Sequence, residues 1–240
     1  MIRVLGKPRK KQDVMKKNVS VLFMLLGMIF VVSLIASNLL ETKVIDLFGL
    51  KITGGLLLFP ISYIINDCIA EVWGFKKARL IIWAGFILNF CVVAIGYLTT
   101  LLPAAAEWDG GPHFNFIFGL APRIALASFL AFLVGSFLNA YVMSKMKVAS
   151  GGKNFSARAI WSTIVGETAD SLIFFPIAFG GEMEWMLIMK LMVIQIFLKS
   201  FYEVLVLPIT IRVVKYVKRV EDVDTFDTDI SFNIFKIKDI

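Results

Sequence analysis

The 240-residue sequence has little charge, two cysteines and a single histidine. Charged residues make up 18% of the chain, against about 25% in typical soluble domains, whereas apolar residues make up 58%, against about 45–50%. A soluble domain of this size cannot bury so many apolar side chains in one core. This composition excludes a soluble enzyme, a nucleic-acid-binding domain and a disordered tail. It indicates that the bilayer is the solvent for most of the chain.

Several kinds of chemical site are also missing from the sequence. The single histidine, His113, cannot anchor a multi-histidine metal site, and there is no His-Glu-x-x-His motif for zinc. There is no Gly-x-x-x-x-Gly-Lys-[Ser/Thr] loop, so the chain is not expected to hydrolyse ATP by itself. Cys68 and Cys91 lie in apolar runs, which predicts packing residues rather than a disulfide. We therefore expect no cofactor, no metal ion and no bound nucleic acid.

Six apolar stretches are long enough to cross a bilayer, which requires about 20 residues per helix. They cover residues 19–40, 54–73, 79–102, 121–144, 159–180 and 185–211. The sequence predicts an all-α integral membrane protein, a bundle of six transmembrane helices, with a division into two three-helix halves left open. The predicted units are a basic cytoplasmic N-terminal segment at 1–18, a transmembrane domain at 19–214 and a cytoplasmic C-terminal tail at 215–240.

Lysine and arginine residues predict the orientation, because loops rich in them stay in the cytoplasm. Most of the 25 basic residues lie in the N-terminal segment, the second-to-third and fourth-to-fifth connections and the C-terminal part. The opposite side carries only Lys43 and Lys51. Both termini are therefore expected in the cytoplasm, where the basic residues Lys7–Lys17 would also contact anionic lipids.

Polar side chains interrupt the predicted helices at helical spacing. Asp67 and Glu71 are four residues apart and share one helix face with Tyr63. At a rise of 1.5 Å per residue, acids of the second and fifth predicted helices and a lysine of the sixth are expected at a similar depth in the bilayer. The candidate substrate-binding residues are Asn38, Tyr63, Asn66, Asp67, Glu71, Arg123, Asn139, Glu167, Asp170, Lys199 and Glu203.

Charges in the middle of a bilayer are expensive, at about 2.5–3.5 kcal/mol each on the insertion scale. We therefore expect Asp67, Glu167, Asp170 and Lys199 to face a shared interior rather than lipid. The three acids outnumber the one lysine, so carboxylates remain to bind a substrate or an ion, which favours a binding site. The alternative is a structural network in which Lys199 pairs with one acid and the other acids are protonated.

Four runs of the sequence match the pattern of a known family. They are Ala36–Leu40, Phe59–Gly74, Pro122–Ser128 and Ser162–Ser171. The most specific element is an Asp-x-x-x-Glu-Val-aromatic-Gly stretch that is followed by basic residues. On these runs the chain resembles the bacterial VUT family of queuosine precursor transporters over about residues 30–210. Trp73 departs from the family's tyrosine, and Asn139 and Glu167 stand where the family has other polar residues.

The resemblance implies a secondary-type transporter in the bacterial inner membrane. Its substrates would be 7-cyano-7-deazaguanine, 7-aminomethyl-7-deazaguanine or both, used for queuosine in tRNA. One carboxylate can accept the adjacent N–H and amino groups of such a ring, so either Asp67 or Asp170 is expected to bind that edge. The remaining acids would then balance charge or carry a proton.

The ring carbonyl and the flat face of a deazaguanine need their own partners. Lys199, Arg123 or Asn66 could donate to the carbonyl, and the flat face needs an aromatic wall. The candidates for that wall are Tyr63, Trp161 and Phe174.

Other functions remain open at this stage. Six helices also suit the substrate-capture subunit of an energy-coupling-factor importer, which needs a separate ATPase. An importer of another small vitamin-like compound or an intramembrane enzyme is a further alternative. The coupling ion and the oligomeric state, a homo-oligomer included, are not determined by the sequence.

Overall fold

The fold is helical, apart from one short β-hairpin, in the part of the chain that a computed structural model describes. That part comprises residues 20–47, 50–119, 122–181, 184–228, 230–233 and 235. The helices are α1 (Val21–Leu40), α2 (Phe59–Trp73), α3 (Phe75–Thr100), α4 (Gly111–Gly119), α5 (Pro122–Ala149), α6 (Phe155–Phe179) and α7 (Trp185–Glu221). The basic N-terminal segment predicted at 1–18 lies outside the described residues.

The hairpin follows α1 and was not predicted from the sequence. Its strands β1 (Val44–Leu47) and β2 (Leu50–Thr53) are antiparallel, with Val44 opposite Thr53. One 3-10 turn, Gly54–Leu57, joins the hairpin to α2. The apolar stretch predicted as a helix from residue 54 therefore begins as an α-helix only at Phe59, where Pro60 is tolerated in the first turn.

In the described part of the chain, five helical segments are long and apolar enough to cross a membrane. They are Val21–Leu40, Gly54–Trp73, Phe75–Thr100, Leu126–Ala149 and Ile188–Glu221. Their outer surfaces expose large apolar side chains such as Val32, Leu98 and Phe197, as lipid-facing surfaces require. Helix α6 has 25 residues but does not reach the same apolarity, because a stripe of buried acidic and hydroxyl side chains runs along it.

Helix α2 lies at the centre of the bundle and packs against α1, α3, α5 and α7. Most of its side chains are buried, including Tyr63, Asn66 and Asp67. Helix α6 packs against α5 and α7. The acidic stripes of α2 and α6 therefore both face the interior.

Helices α5 and α7 extend beyond the apolar stretches predicted at 121–144 and 185–211. The extensions contain lysine and arginine, which are good helix formers and are favourable near helix C-termini. Because α7 continues to Glu221, it also passes the boundary predicted at residue 214 between the transmembrane domain and the tail.

The chain after α7 packs back against the bundle. Asp227 accepts the backbone N–H of Phe75 at 2.9 Å, at the start of α3, and the hydroxyl of Ser144 in α5. Arg79 donates to the backbone carbonyls of Ser231 at 3.2 Å and Asn233 at 2.6 Å. The tail thus joins the α2–α3 junction to the end of α5.

Candidate functional site

A lysine on α7 lies between two acids of α6. The Nζ atom of Lys199 is 2.8 Å from Oε2 of Glu167 and 3.3 Å from Oδ2 of Asp170. The two acids are three residues apart, so the helix places them on one face. Lys199 is 3% exposed, and its Nζ atom also lies 4.0 Å from the ring centroid of Phe59. With both acids ionised, this cluster keeps one negative charge.

Two other acids are buried and form no ion pair with the described residues. Asp67 is 0% exposed and Glu203 is 1% exposed. None of their four carboxylate oxygens accepts a close hydrogen bond from the described residues, although the amide of Asn139 lies near Asp67 and the hydroxyl of Thr163 lies near Glu203. Glu203 lies near enough to Asp67 for the two charges to repel each other. A buried polar group left unsatisfied costs about 1–3 kcal/mol, and a charged group costs more, so this pair is suited to a ligand that donates hydrogen bonds.

Neutral polar groups of the interior are also without partners. Buried neutral side chains that have an atom with no hydrogen-bond partner in the described part of the chain are Ser62, Tyr63, Asn89, Asn139, Thr163, Ser171 and Ser200. Asn139 is fully buried beside Asp67, and neither polar atom of its amide makes a close hydrogen bond with the described residues. Asn66 differs, because its Nδ2 atom donates to the carbonyl of Ser136 at 3.3 Å.

Glu71 belongs to a separate ion-pair network at the end of α2. Arg158 of α6 binds both of its carboxylate oxygens, with a distance of 3.0 Å from Nη2 to Oε1. Lys218 lies 2.6 Å and Lys147 3.8 Å from Oε1 of Glu71. We call this group, Glu71 with Lys147, Arg158 and Lys218, the basic end. Three cations surround Glu71, so little of its charge is available to a ligand.

The tail completes the basic end. Asp224 lies 2.5 Å from Nζ of Lys147 and 3.0 Å from Nζ of Lys218. Partial burial raises the pKa of Asp224, but hydrogen bonds and charge attraction from the two lysines outweigh it and lower the pKa below its ordinary value. The sequence indicates these lysines only as orientation signals, and the structure adds their role as partners of acids.

Arg123 is held by the end of a neighbouring helix. Its Nε atom donates to the carbonyl of Ile177 at 2.7 Å, and Nη2 donates to the carbonyl of Gly180 at 2.5 Å. The last carbonyls of a helix have no partner within the helix, so Arg123 caps the end of α6. The structure therefore gives this candidate binding residue a structural partner.

A small cavity of about 10 Å³ lies beside Lys199. It is lined by Asn38, Glu41, Phe59, Ser128, Asp170, Phe174, Gln195 and Lys199. Glu41 and Gln195 were not among the predicted residues. Glu41 follows Asn38 by three residues and caps the end of α1, so its helical spacing from Asn38 could have identified it.

The predicted aromatic wall is correct only in part. Tyr63 is 1% exposed and Phe174 is 6% exposed, but Trp161 is 57% exposed and faces outward. Trp161 cannot line the interior, because it lies on the face of α6 opposite the acids. Within the described residues, no group of three or more His, Cys, Asp or Glu side chains is arranged to hold a metal ion.

Residues 53–213 match the model of a family described as "Putative vitamin uptake transporter". The chain belongs to this family. The matched region runs from the end of β2 into α7 and contains all the candidate site residues except Asn38. Family membership confirms the resemblance found in the sequence and, with the apolar helices, makes the chain a multi-pass membrane protein. Its family is one of transporters, which does not support an intramembrane enzyme.

Curated relatives of this family member carry more specific names. A "Probable queuosine precursor transporter" of Bacillus subtilis (strain 168) is 32% identical over 154 residues, 61% of this chain and 65% of the relative. The "Queuosine precursor transporter" of Escherichia coli (strain K12) is 30% identical over 152 residues, 60% of this chain and 62% of the relative. The chain thus spans less than two thirds of these relatives. No solved structure matches it.

Proposed function

We propose that this chain is a secondary-type transporter that imports queuosine precursors through the polar interior between α2, α6 and α7. The names of its relatives support the substrate class, and the vitamin uptake family supports the activity. The observation that carries the proposal is the pair of buried, unpartnered carboxylates, Asp67 and Glu203.

Asp67 is the stronger candidate to bind the guanine edge of a deazaguanine. That edge presents an N–H and an amino group side by side, which one carboxylate can accept together. Asp170 already receives Lys199, whereas the oxygens of Asp67 have no partner in the described part of the chain. Glu203 would then hold the cation of an aminomethyl substituent or carry a proton.

The other candidates have narrower roles in this proposal. Lys199 would donate to the ring carbonyl while Glu167 and Asp170 hold it in place, and Asn139 would supply an amide to the ring. Tyr63 would contact the flat face of the ring. Glu71 and Arg123 would not touch the substrate, because each is engaged by partners of its own.

We also propose that α6 crosses the membrane, which gives six crossings with both termini in the cytoplasm. Helix α6 is antiparallel to α5, because Arg123 at the start of α5 meets the end of α6. Its 25 residues extend about 37 Å, enough for a bilayer. Its polar stripe is buried against neighbours, which removes the cost of contact with lipid. The basic end would face the cytoplasm of a bacterial inner membrane.

Transport by the purified chain tests the proposal. Liposomes that contain the chain should accumulate labelled 7-cyano-7-deazaguanine or 7-aminomethyl-7-deazaguanine without ATP or another protein. Asp67→Asn should abolish this uptake, and Asp109→Asn, in an exposed loop, should leave it unchanged. Full uptake by Asp67→Asn would contradict the assignment of the site. A requirement for ATP and a partner protein would contradict a transporter that works alone.

Binding can be tested independently of transport. A ligand that binds only the folded state raises the temperature of unfolding, so the purified protein can be heated with a panel of purines and deazapurines. We expect the two queuosine precursors to stabilise the protein more than guanine or adenine. Equal stabilisation by all of these rings, or by none, would contradict the substrate class.

A further inference from the structure

A second and much larger cavity lies apart from the buried acids. Its volume is about 410 Å³, and it is a partly open cavity lined by residues of α1, α3, α4 and α5. Small-molecule sites usually measure about 300–1,000 Å³ and are mostly apolar with a few polar groups. We call it the α1–α3–α5 cavity. It has the size and character of a binding site for a small molecule.

The lining of this cavity suits a flat, uncharged ring. Four aromatic side chains form part of the wall, namely Phe90, Tyr97, Phe118 and Phe129. Their faces favour a planar π system. None of the described residues that line the cavity is charged. The α1–α3–α5 cavity therefore differs from the Lys199 cluster, where a lysine and two acids meet.

One polar group in the cavity lacks a partner. Asn89 of α3 lines the cavity and is 5% exposed, and its Oδ1 atom has no hydrogen-bond partner among the described residues. A buried carbonyl oxygen in this situation favours a ligand that donates an N–H group. A lipid chain would fill the space but would leave Asn89 unsatisfied, which favours a heterocycle as the occupant.

The two cavities share part of their walls. Asn38 and Ser128 line both the α1–α3–α5 cavity and the small cavity beside Lys199. The small cavity measures about 10 Å³, which is room for about one water molecule. A ring fits the α1–α3–α5 cavity in this conformation but fits beside Lys199 only after the helices move. The two sites therefore adjoin each other, and only the larger one has room for a ring in this conformation.

We propose that the α1–α3–α5 cavity is a second substrate site, in which a neutral flat heterocycle that donates N–H groups binds before it reaches Lys199. This inference rests on the proposed function, since the heterocycle is the transported substrate. Asn89 accepts an N–H group of the ring, and Asn38 and Ser128 form the partition that the ring must pass.

Equilibrium binding to the full chain in lipid nanodiscs tests the second site, with neutral 7-cyano-7-deazaguanine as the probe. Ala94→Phe fills the cavity, and Asn89→Leu removes the acceptor at nearly the same size. Ile95→Phe is the matched control, because Ile95 neighbours Ala94 but is 64% exposed on the outer surface. Each variant is also made together with Asp67→Asn, which removes binding at the deeper site. Thermal unfolding checks that the variants are folded.

We expect Asp67→Asn to retain one equivalent of bound probe. In this background, Ala94→Phe should remove the remaining binding, Asn89→Leu should weaken it about tenfold, and Ile95→Phe should leave it unchanged. Equal binding by Asp67→Asn with and without Ala94→Phe would overturn the second site alone. Loss of co-purified lipid in Ala94→Phe with unchanged binding of the probe would identify a lipid site instead. Failure of the wild-type chain to bind the probe would overturn the proposed function and this inference together.

Discussion

Gly135 of α5 and Gly166 of α6 face each other where the two helices cross. A Cβ atom on either residue would lie 2.9 Å from the backbone carbonyl oxygen of the other. A Cβ atom on Gly135 would also lie 2.6 Å from the hydroxyl oxygen of Tyr63, and one on Gly166 would lie 3.0 Å from a ring carbon of Tyr63. Two missing side chains thus let the helices touch and make room for Tyr63 beside the acids.

Gly166→Ala should therefore damage both the fold and the site. An extra methyl group in a tight interior costs about 1–3 kcal/mol, and here it also displaces Tyr63. We expect a lower unfolding temperature of the purified protein and reduced uptake. Gly111→Ala is the matched control, because an added Cβ would find its nearest neighbour at 3.9 Å. Equal unfolding temperatures for the two variants would show that the helices do not touch as described.

Lys199→Met should destabilise the protein by about 3–5 kcal/mol, because Glu167 and Asp170 lose their buried cation. Adding Glu167→Gln should restore part of the stability, since one uncompensated charge is removed, but it should not restore uptake. Thermal unfolding and liposome uptake measure the two effects separately. Lys190→Met provides the control, because Lys190 is exposed on the same helix. Recovered uptake in the double variant would reduce Lys199 to a structural role.

Arg158→Met should destabilise the protein strongly, also by about 3–5 kcal/mol, because it removes the bidentate partner of Glu71. The double variant Glu71→Gln/Arg158→Met should lose less than the sum of the single losses, since residues in direct contact are not additive. Unfolding of all four proteins completes the double-mutant cycle. Additive losses would mean that the two side chains do not interact.

Asp227→Ala should loosen the tail, because it removes the acceptor for the first N–H group of α3 and for Ser144. Loss of such a cap costs about 1 kcal/mol. Cys68, which is 2% exposed and packs against α7, reports the change through its reaction with a thiol reagent. In a Cys91→Ser background we expect faster labelling in Asp227→Ala. Asp222→Asn is the control, because Asp222 is at an exposed position without a described contact, and its Cys68 should be labelled at the rate of the parent protein. Equal labelling rates in the parent and both variants would mean that the tail does not cover the end of the bundle near Cys68.

Much of the architecture follows from local features of the sequence. The apolar runs locate the helices, and the cost of charge in lipid requires Asp67, Asp170 and Lys199 to face inward, as they do. Residue 54 did not mark the start of α2, because Gly54 and Gly55 continue into a 3-10 turn against the end of α1. That turn depends on a neighbouring helix, which helical periodicity does not reveal.

The choice of partners for each acid came from the tertiary structure alone. Composition and spacing determined that a membrane bundle would bury several acids and a lysine at similar depth. They could not determine that Lys199 would pair with α6, that Arg158 would bind Glu71, or that Asp67 and Glu203 would form no ion pair with the described residues. Spacing along one helix fixes which side chains share a face, whereas contacts between helices depend on how the backbones cross, here at Gly135 and Gly166.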